Sequence, residues 1–119
     1  MDITRTVPAL LGLALVGLGA PLARPARPPT AVEIKTFQFA PDSIKVAAGA
    51  VVEWINRDAI EHTVTAGAPD AASAEFDGKL TGPGSGFAHR FERPGTYRYF
   101  CARHQFMRGV VHVTQPQGE

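Results

Sequence analysis

The stretch Tyr97-Arg98-Tyr99-Phe100-Cys101-Ala102-Arg103-His104-Gln105-Phe106-Met107-Arg108-Gly109 sets two β-type segments around a short connection full of soft donor atoms. Thr96 to Phe100 is aromatic and β-branched, which predicts a strand, and Pro94-Gly95 before it is a turn signal. Gly109 to Thr114, a run of valines with one histidine, predicts the next strand. Outward from this pair the chain keeps the same grammar. From Val32 the period is two, with Ile34, Thr36 and Gln38 alternating against Lys35, Phe37 and Phe39 in a single run. Ser43 to Ala47 is a short run closed by the turn Ala48-Gly49-Ala50. Val51-Val52-Glu53-Trp54-Ile55-Asn56 reads as a central strand, His62 to Thr65 as another, and Gly86 to Phe91 as one more. Between positions 67 and 86 the chain is rich in Gly, Ala, Pro and Ser, with a short strand expected at Glu75 to Asp77. No window shows sustained helical spacing and there is no internal repeat. About seven to eight short strands at regular intervals predict an all-β fold, an antiparallel sandwich or barrel.

Composition narrows the class. At 119 residues the chain holds one modest domain, which excludes a multidomain enzyme. Twelve basic against 11 acidic residues give a net charge of +1, without the basic stripe of a nucleic-acid binder or the block of like charges of a polyelectrolyte tail. A single cysteine excludes an intramolecular disulfide framework. Residues 1–23 read as an export signal: Arg5 near the start, an apolar run from Val7 to Leu18, then the small residues Gly17, Gly19 and Ala20. An uncleaved N-terminal anchor is the alternative, and only then does the protein meet a membrane. Residues 24–30 form a Pro/Arg-rich linker and 31–119 the folded domain. Either way the domain is expected outside the cytoplasm, in the periplasm.

The chemistry sits on the connection. Cys101 is followed by His104 three residues later and Met107 three after that. A thiolate, an imidazole and a thioether on one loop suit copper rather than calcium or magnesium. His62 opens another strand, and a sandwich can bring its end beside the loop. Two His, one Cys and a weak Met match the general donor pattern of blue-copper electron-transfer sites.

Three motifs make the chain resemble the cupredoxins, and among them the amicyanins most. They are the short loop Cys101-x-x-His104-x-x-Met107, the approach Trp54-Ile55-Asn56-Arg57-Asp58-Ala59-Ile60-Glu61-His62, and the opening Phe39-Ala40-Pro41 with Ile44, Val46 and Gly49. The resemblance covers about residues 32–114 and implies a Greek-key β-sandwich. It implies one type 1 copper held by His62, Cys101 and His104, with Met107 as the distant axial ligand. It also gives Asn56 a supporting role, with its backbone N–H aimed at the thiolate and its side chain tethering the ligand loop. Glu61, Arg103 and Gln105 stand where the family commonly has prolines. Arg103, unlike proline, has an N–H, so a second hydrogen bond from Arg103 to the Cys101 sulfur is expected.

By this resemblance the protein is not an enzyme. It is an exported carrier of single electrons between Cu(II) and Cu(I), monomeric, meeting a c-type cytochrome or a periplasmic dehydrogenase transiently, with the electron passing through His104. Phe106 belongs to an exposed apolar docking patch, with Arg103 and Arg108 as steering charges. A periplasmic copper chaperone or storage protein using the same residues is the alternative. A Cys101 nucleophile lacks an orienting third residue, and methionine is a poor fourth ligand for structural zinc. His89 and His112 are expected as surface or edge histidines. Phe37, Phe39, Trp54, Phe76, Phe91, Tyr97 and Tyr99 are expected as core packing.

Overall fold

The computed structural model describes residues 27–116, so the export segment, the linker up to residue 26 and the last three residues lie outside it. Nine strands occur among the described residues: β1 (Thr30–Lys35), β2 (Gln38–Ala40), β3 (Ser43–Ala47), β4 (Ala50–Asn56), β5 (His62–Ala68), β6 (Ala71–Leu80), β7 (Gly86–Phe91), β8 (Gly95–Phe100) and β9 (Arg108–Thr114). They form a four-stranded sheet, β2-β1-β4-β7, and a five-stranded sheet, β3-β9-β8-β5-β6. No helix among the described residues is long and apolar enough to cross a membrane.

Three features differ from the sequence-based expectation. The short strand expected at Glu75 to Asp77 is the ten-residue β6, which pairs along the length of β5. The run from Val32 to Phe39 is two strands, because Thr36 and Phe37 take positive φ angles of 49° and 56° and turn the chain back on itself. Lys35 pairs with Gln38, so the hairpin has a two-residue loop, the kind whose right-handed partner strands need positive φ at both central positions. The sheets are also mixed rather than antiparallel, since β1 runs parallel to β4 and β3 parallel to β9.

Period-two alternation sends one face of each strand inward. In β4 that face is Val52, Trp54 and Asn56, all fully buried. Its own sheet adds Val32, Ile34 and Phe91, and the facing sheet supplies Val64, Phe76, Leu80, Tyr99, Val111 and Val113. The Trp54 ring lies at the centre, its centroid 5.3 Å from Tyr99, 5.8 Å from Phe87, 6.1 Å from Phe76 and 6.4 Å from Phe91. Burial of a side chain of this size contributes a few kcal/mol. This rigid centre holds one end of the sandwich, where the ends of β4, β5, β8 and β9 meet.

Candidate metal centre

Strand pairing gathers the chemistry. Phe100 of β8 pairs with Arg108 of β9, so residues 101–107 form a loop closed at its base. Within it the Met107 amide donates to the His104 carbonyl at 2.9 Å and the Cys101 amide to the Met107 carbonyl at 3.1 Å. The loop is therefore fixed from inside. On the other side of β8, Thr65 of β5 pairs with Phe100, which carries the start of β5 alongside Cys101.

His62, at that start, and Cys101 are fully buried, and His104 is half-buried. Their donor atoms all lie within 4.8 Å of one another. The Cys101 Sγ is 3.7 Å from Nδ1 of His62 and 3.7 Å from Nδ1 of His104. A first-row ion bound at roughly 2.3 Å to sulfur and roughly 2.0 Å to nitrogen, with 120° between them, sets those donors roughly 3.7 Å apart. The donor set thus has the spacing of atoms sharing one cation. Met107 is buried at the loop's end.

The orientation of His62 has an identifiable cause. Its Nε2 lies 2.8 Å from Oδ2 of Asp58. An ionised carboxylate only accepts, so Nε2 carries the proton and the Nδ1 lone pair faces the sulfur. The same carboxylate accepts from the Thr36 amide at 2.8 Å and the Phe37 amide at 3.0 Å, the two left-handed residues of the β1–β2 turn. Partial burial pushes the Asp58 carboxyl up, but the amides of Phe37 and Thr36 and the His62 ring outweigh it and hold it below the usual carboxylate range.

The Asp58-held turn places Phe37 outside the core where sequence alternation put it. Its ring stands edge-on to both imidazoles, with centroids 5.2 Å from His62 and 5.0 Å from His104. Phe37 is 38% exposed, Ile60 39% and Phe106 70%, so three large apolar side chains lie open to solvent. Phe37 and Phe106 flank His104, the Phe106 ring at 6.4 Å. His89 and His112 lie on β7 and β9, away from this cluster.

Asn56 does not do what the resemblance assigned to it. Its backbone N–H donates to the Ser85 carbonyl at 2.8 Å, and the N–H on the Cys101 sulfur belongs to Thr63, at 3.3 Å. The buried Asn56 side chain instead braces the approach to His62. Its Nδ2 donates to the carbonyls of Ile60 (2.9 Å) and Leu80 (3.3 Å), and its Oδ1 accepts from the Asp58 amide at 2.9 Å. The loop tether is again Thr63, whose Oγ1 accepts from the Ala102 amide at 2.7 Å. Arg103 departs likewise. Among the described residues its N–H makes no hydrogen bond to the sulfur, and its guanidinium pairs with Glu61 at 3.1 Å. The residues at two positions where the family favours proline are thus ion-paired to each other beside the centre. Asp58, Thr63 and Phe37 were missed in the sequence, although Asp58 stands four residues before His62 and Thr63 directly after it.

Comparison with known proteins agrees with this geometry. Residues 28–114 match the family described as copper binding proteins, plastocyanin/azurin family. Amicyanin-alpha of Methylorubrum extorquens is 31% identical over 84 residues, covering 71% of this chain and 71% of that protein. Plastocyanin of Scenedesmus fuscus is 34% identical over 83 residues, covering 63% of this chain and 85% of the relative. The solved structure of a Cu(I) form of an amicyanin mutant superposes with a TM-score of 0.65 at 32% identity, over 77% of this chain and 88% of that one. A purple cupredoxin from Nitrosopumilus maritimus shares the fold at a TM-score of 0.65 and 24% identity, over 71% and 99% of the two chains. With the donor cluster and the match running from residue 28 to residue 114, the chain belongs to the plastocyanin/azurin family of copper-binding cupredoxins.

Proposed function

We propose that the protein is an exported, periplasmic carrier of single electrons, with one type 1 copper held by His62 Nδ1, His104 Nδ1 and Cys101 Sγ and weakly by Met107. The observation that carries this reading is the donor triangle, with sulfur 3.7 Å from each imidazole nitrogen and two of its three members fully buried. Two imidazoles, a thiolate and a thioether suit copper in both oxidation states. Copper bound there supplies a couple that takes up and gives back one electron.

The chain's own residues do the rest. Asp58 fixes the His62 tautomer and ring plane, and the closed loop from Cys101 to Met107 fixes the other donors. A frame set before binding leaves little to rearrange when the charge of the site changes. The Thr63 N–H draws electron density from the sulfur, which favours the reduced state and raises the potential. His104, the least buried of the three donor residues, is the route for the electron, and Phe37, Ile60 and Phe106 exclude water where a partner docks. Arg108 steers the approach, while the charge of Arg103 is offset by its pair with Glu61. An encounter of this kind is small and weak, so the partner, a c-type cytochrome or a periplasmic dehydrogenase, leaves after each electron. No substrate is transformed.

Addition of Cu(II) to the metal-free protein tests the reading. One equivalent is expected to give an intense visible band that a reductant bleaches and an oxidant restores, with copper retained throughout. A colourless complex, or copper lost to a mild chelator at each cycle, contradicts it; the second result is that of a chaperone or store.

A further inference from the structure

A line of hydroxyls leads away from the centre to the surface of the second sheet. The Ala102 amide donates to Thr63 Oγ1 at 2.7 Å, Thr63 Oγ1 lies 2.8 Å from Thr65 Oγ1, and Thr65 Oγ1 donates to Asp77 Oδ1 at 2.9 Å. The fold places these groups together without special geometry. Thr63 and Thr65 are two apart on β5 and so share a face, and Asp77 of β6 is the cross-strand partner of Thr65. Both threonines are buried and Asp77 is exposed.

The polarity of this line is forced. Each hydroxyl has one proton, and an ionised carboxylate can only accept. Thr65 must spend its proton on Asp77, so between the threonines Thr65 accepts and Thr63 donates. Thr63 then has only lone pairs to offer the ligand loop, and it receives the Ala102 N–H. Bonds aligned head to tail polarise one another, so the acceptor at Thr63 is strengthened by the charge two bonds away. Ala102 directly follows Cys101, and fixing its amide fixes the peptide that carries the thiol. Thr63 also gives its own N–H to the Cys101 sulfur at 3.3 Å, so one residue grips the loop at two points.

We propose that Asp77 is a positioning residue for the copper site, acting through Thr65 and Thr63 on the Cys101–Ala102 peptide. This rests on the function proposed above for the effect on the metal, but the effect on the loop stands without it. The charge that orders the loop therefore sits on an exposed residue of β6, a strand that carries none of Phe37, Ile60 and Phe106.

The test uses four variants of the full chain. Thr65→Val keeps the side-chain shape and removes the relay; Thr65→Ser restores it. Asp77→Ala removes the acceptor, and Asp77→Asn keeps an acceptor oxygen without the charge. In metal-free protein, hydrogen exchange at the Ala102 amide is expected to quicken about twofold in Thr65→Val, because its bond to Thr63 stays and loses only the polarisation that the two further bonds supply. Protection is expected to return in Thr65→Ser, and Asp77→Asn is expected to hold more of it than Asp77→Ala. In the copper-loaded protein the reduction potential is expected to fall in Thr65→Val and recover in Thr65→Ser. Unchanged Ala102 exchange in Thr65→Val overturns the proposal, and so does equal loss in Asp77→Asn and Asp77→Ala. A wild-type protein that never turns blue sinks the electron-carrier reading instead, while the exchange measurement still decides the relay.

Discussion

Replacing Asp58 by alanine removes three hydrogen bonds to one carboxylate: the amides of Thr36 and Phe37 and the ring of His62. The three are not equal. Thr36 and Phe37 are exposed, so water takes over their amides at small cost. The His62 ring is fully buried, and its Nε2–H left without a partner costs roughly 1–3 kcal/mol. Backbone strain does not add to this, because the wild-type turn already carries it. Thr36 and Phe37 hold left-handed φ angles of 49° and 56°, each unfavourable by roughly 1–2 kcal/mol for a residue with a side chain. The carboxylate offsets that strain, and without it the turn relaxes and releases Phe37 from the imidazoles. Urea unfolding of the metal-free protein is expected to show a loss of about 1–3 kcal/mol for Asp58→Ala, the cost of the buried ring N–H less the strain that the relaxed turn gives back. The strain component can be isolated. Thr36→Gly removes the penalty at one of the two positions, so it is expected to stabilise the protein by about 1 kcal/mol, and Asp58→Ala in that background is expected to cost at least as much as in wild type, because less strain is left for the turn to give back. A loss below about 0.5 kcal/mol, or a loss that shrinks in the Thr36→Gly background, refutes the reasoning that one carboxylate holds both the strained turn and the histidine.

Two other predictions concern the scaffold. A Cβ on Gly109 would run into the Tyr99 ring, which is buried against Phe39 and Trp54, so Gly109→Ala is expected to lose about 1–3 kcal/mol in the same unfolding assay; a change within experimental error shows that the ring can move aside. Burial among Phe76 and Phe91 lowers the His89 imidazole from its ordinary value of 6.5, with Glu75 opposing more weakly. The folded state then prefers the neutral ring and the unfolded state binds the extra proton first. The His89 contribution is therefore fully present above 6.5 and lost as the pH falls through the lowered value. The stability of wild type relative to His89→Gln is expected to decline on acidification, and a difference that stays constant or grows contradicts the assignment.

The strands were legible because both sheets bury one face, which writes period two into segments such as Val52, Trp54 and Asn56. What the alternation hid was the turn at Thr36 and Phe37. Neither residue carries a turn signal, and the carboxylate that stabilises their conformation lies more than twenty positions away. That one hidden turn split a strand in two and moved Phe37 from the expected core to the edge of the imidazoles. The parallel pairings of β1 with β4 and β3 with β9 join distant segments, and no local pattern encodes such a choice. At the centre, residue types and spacing marked Cys101, His104 and Met107, the sandwich fold offered His62 as the second imidazole, and the resemblance supported it. Which amide faces the sulfur depends on strand register, and the pairing of Thr65 with Phe100 gives that place to Thr63 rather than Asn56.

Pulsed electron paramagnetic resonance of the Cu(II)-loaded protein, together with the Cys101→Ser variant, tests the central claim most directly. The expected result is two imidazole nitrogens and one strongly coupled thiolate on a single copper, with the thiolate coupling and the colour both gone in Cys101→Ser. A single imidazole, or a spectrum that Cys101→Ser leaves unchanged, contradicts the account.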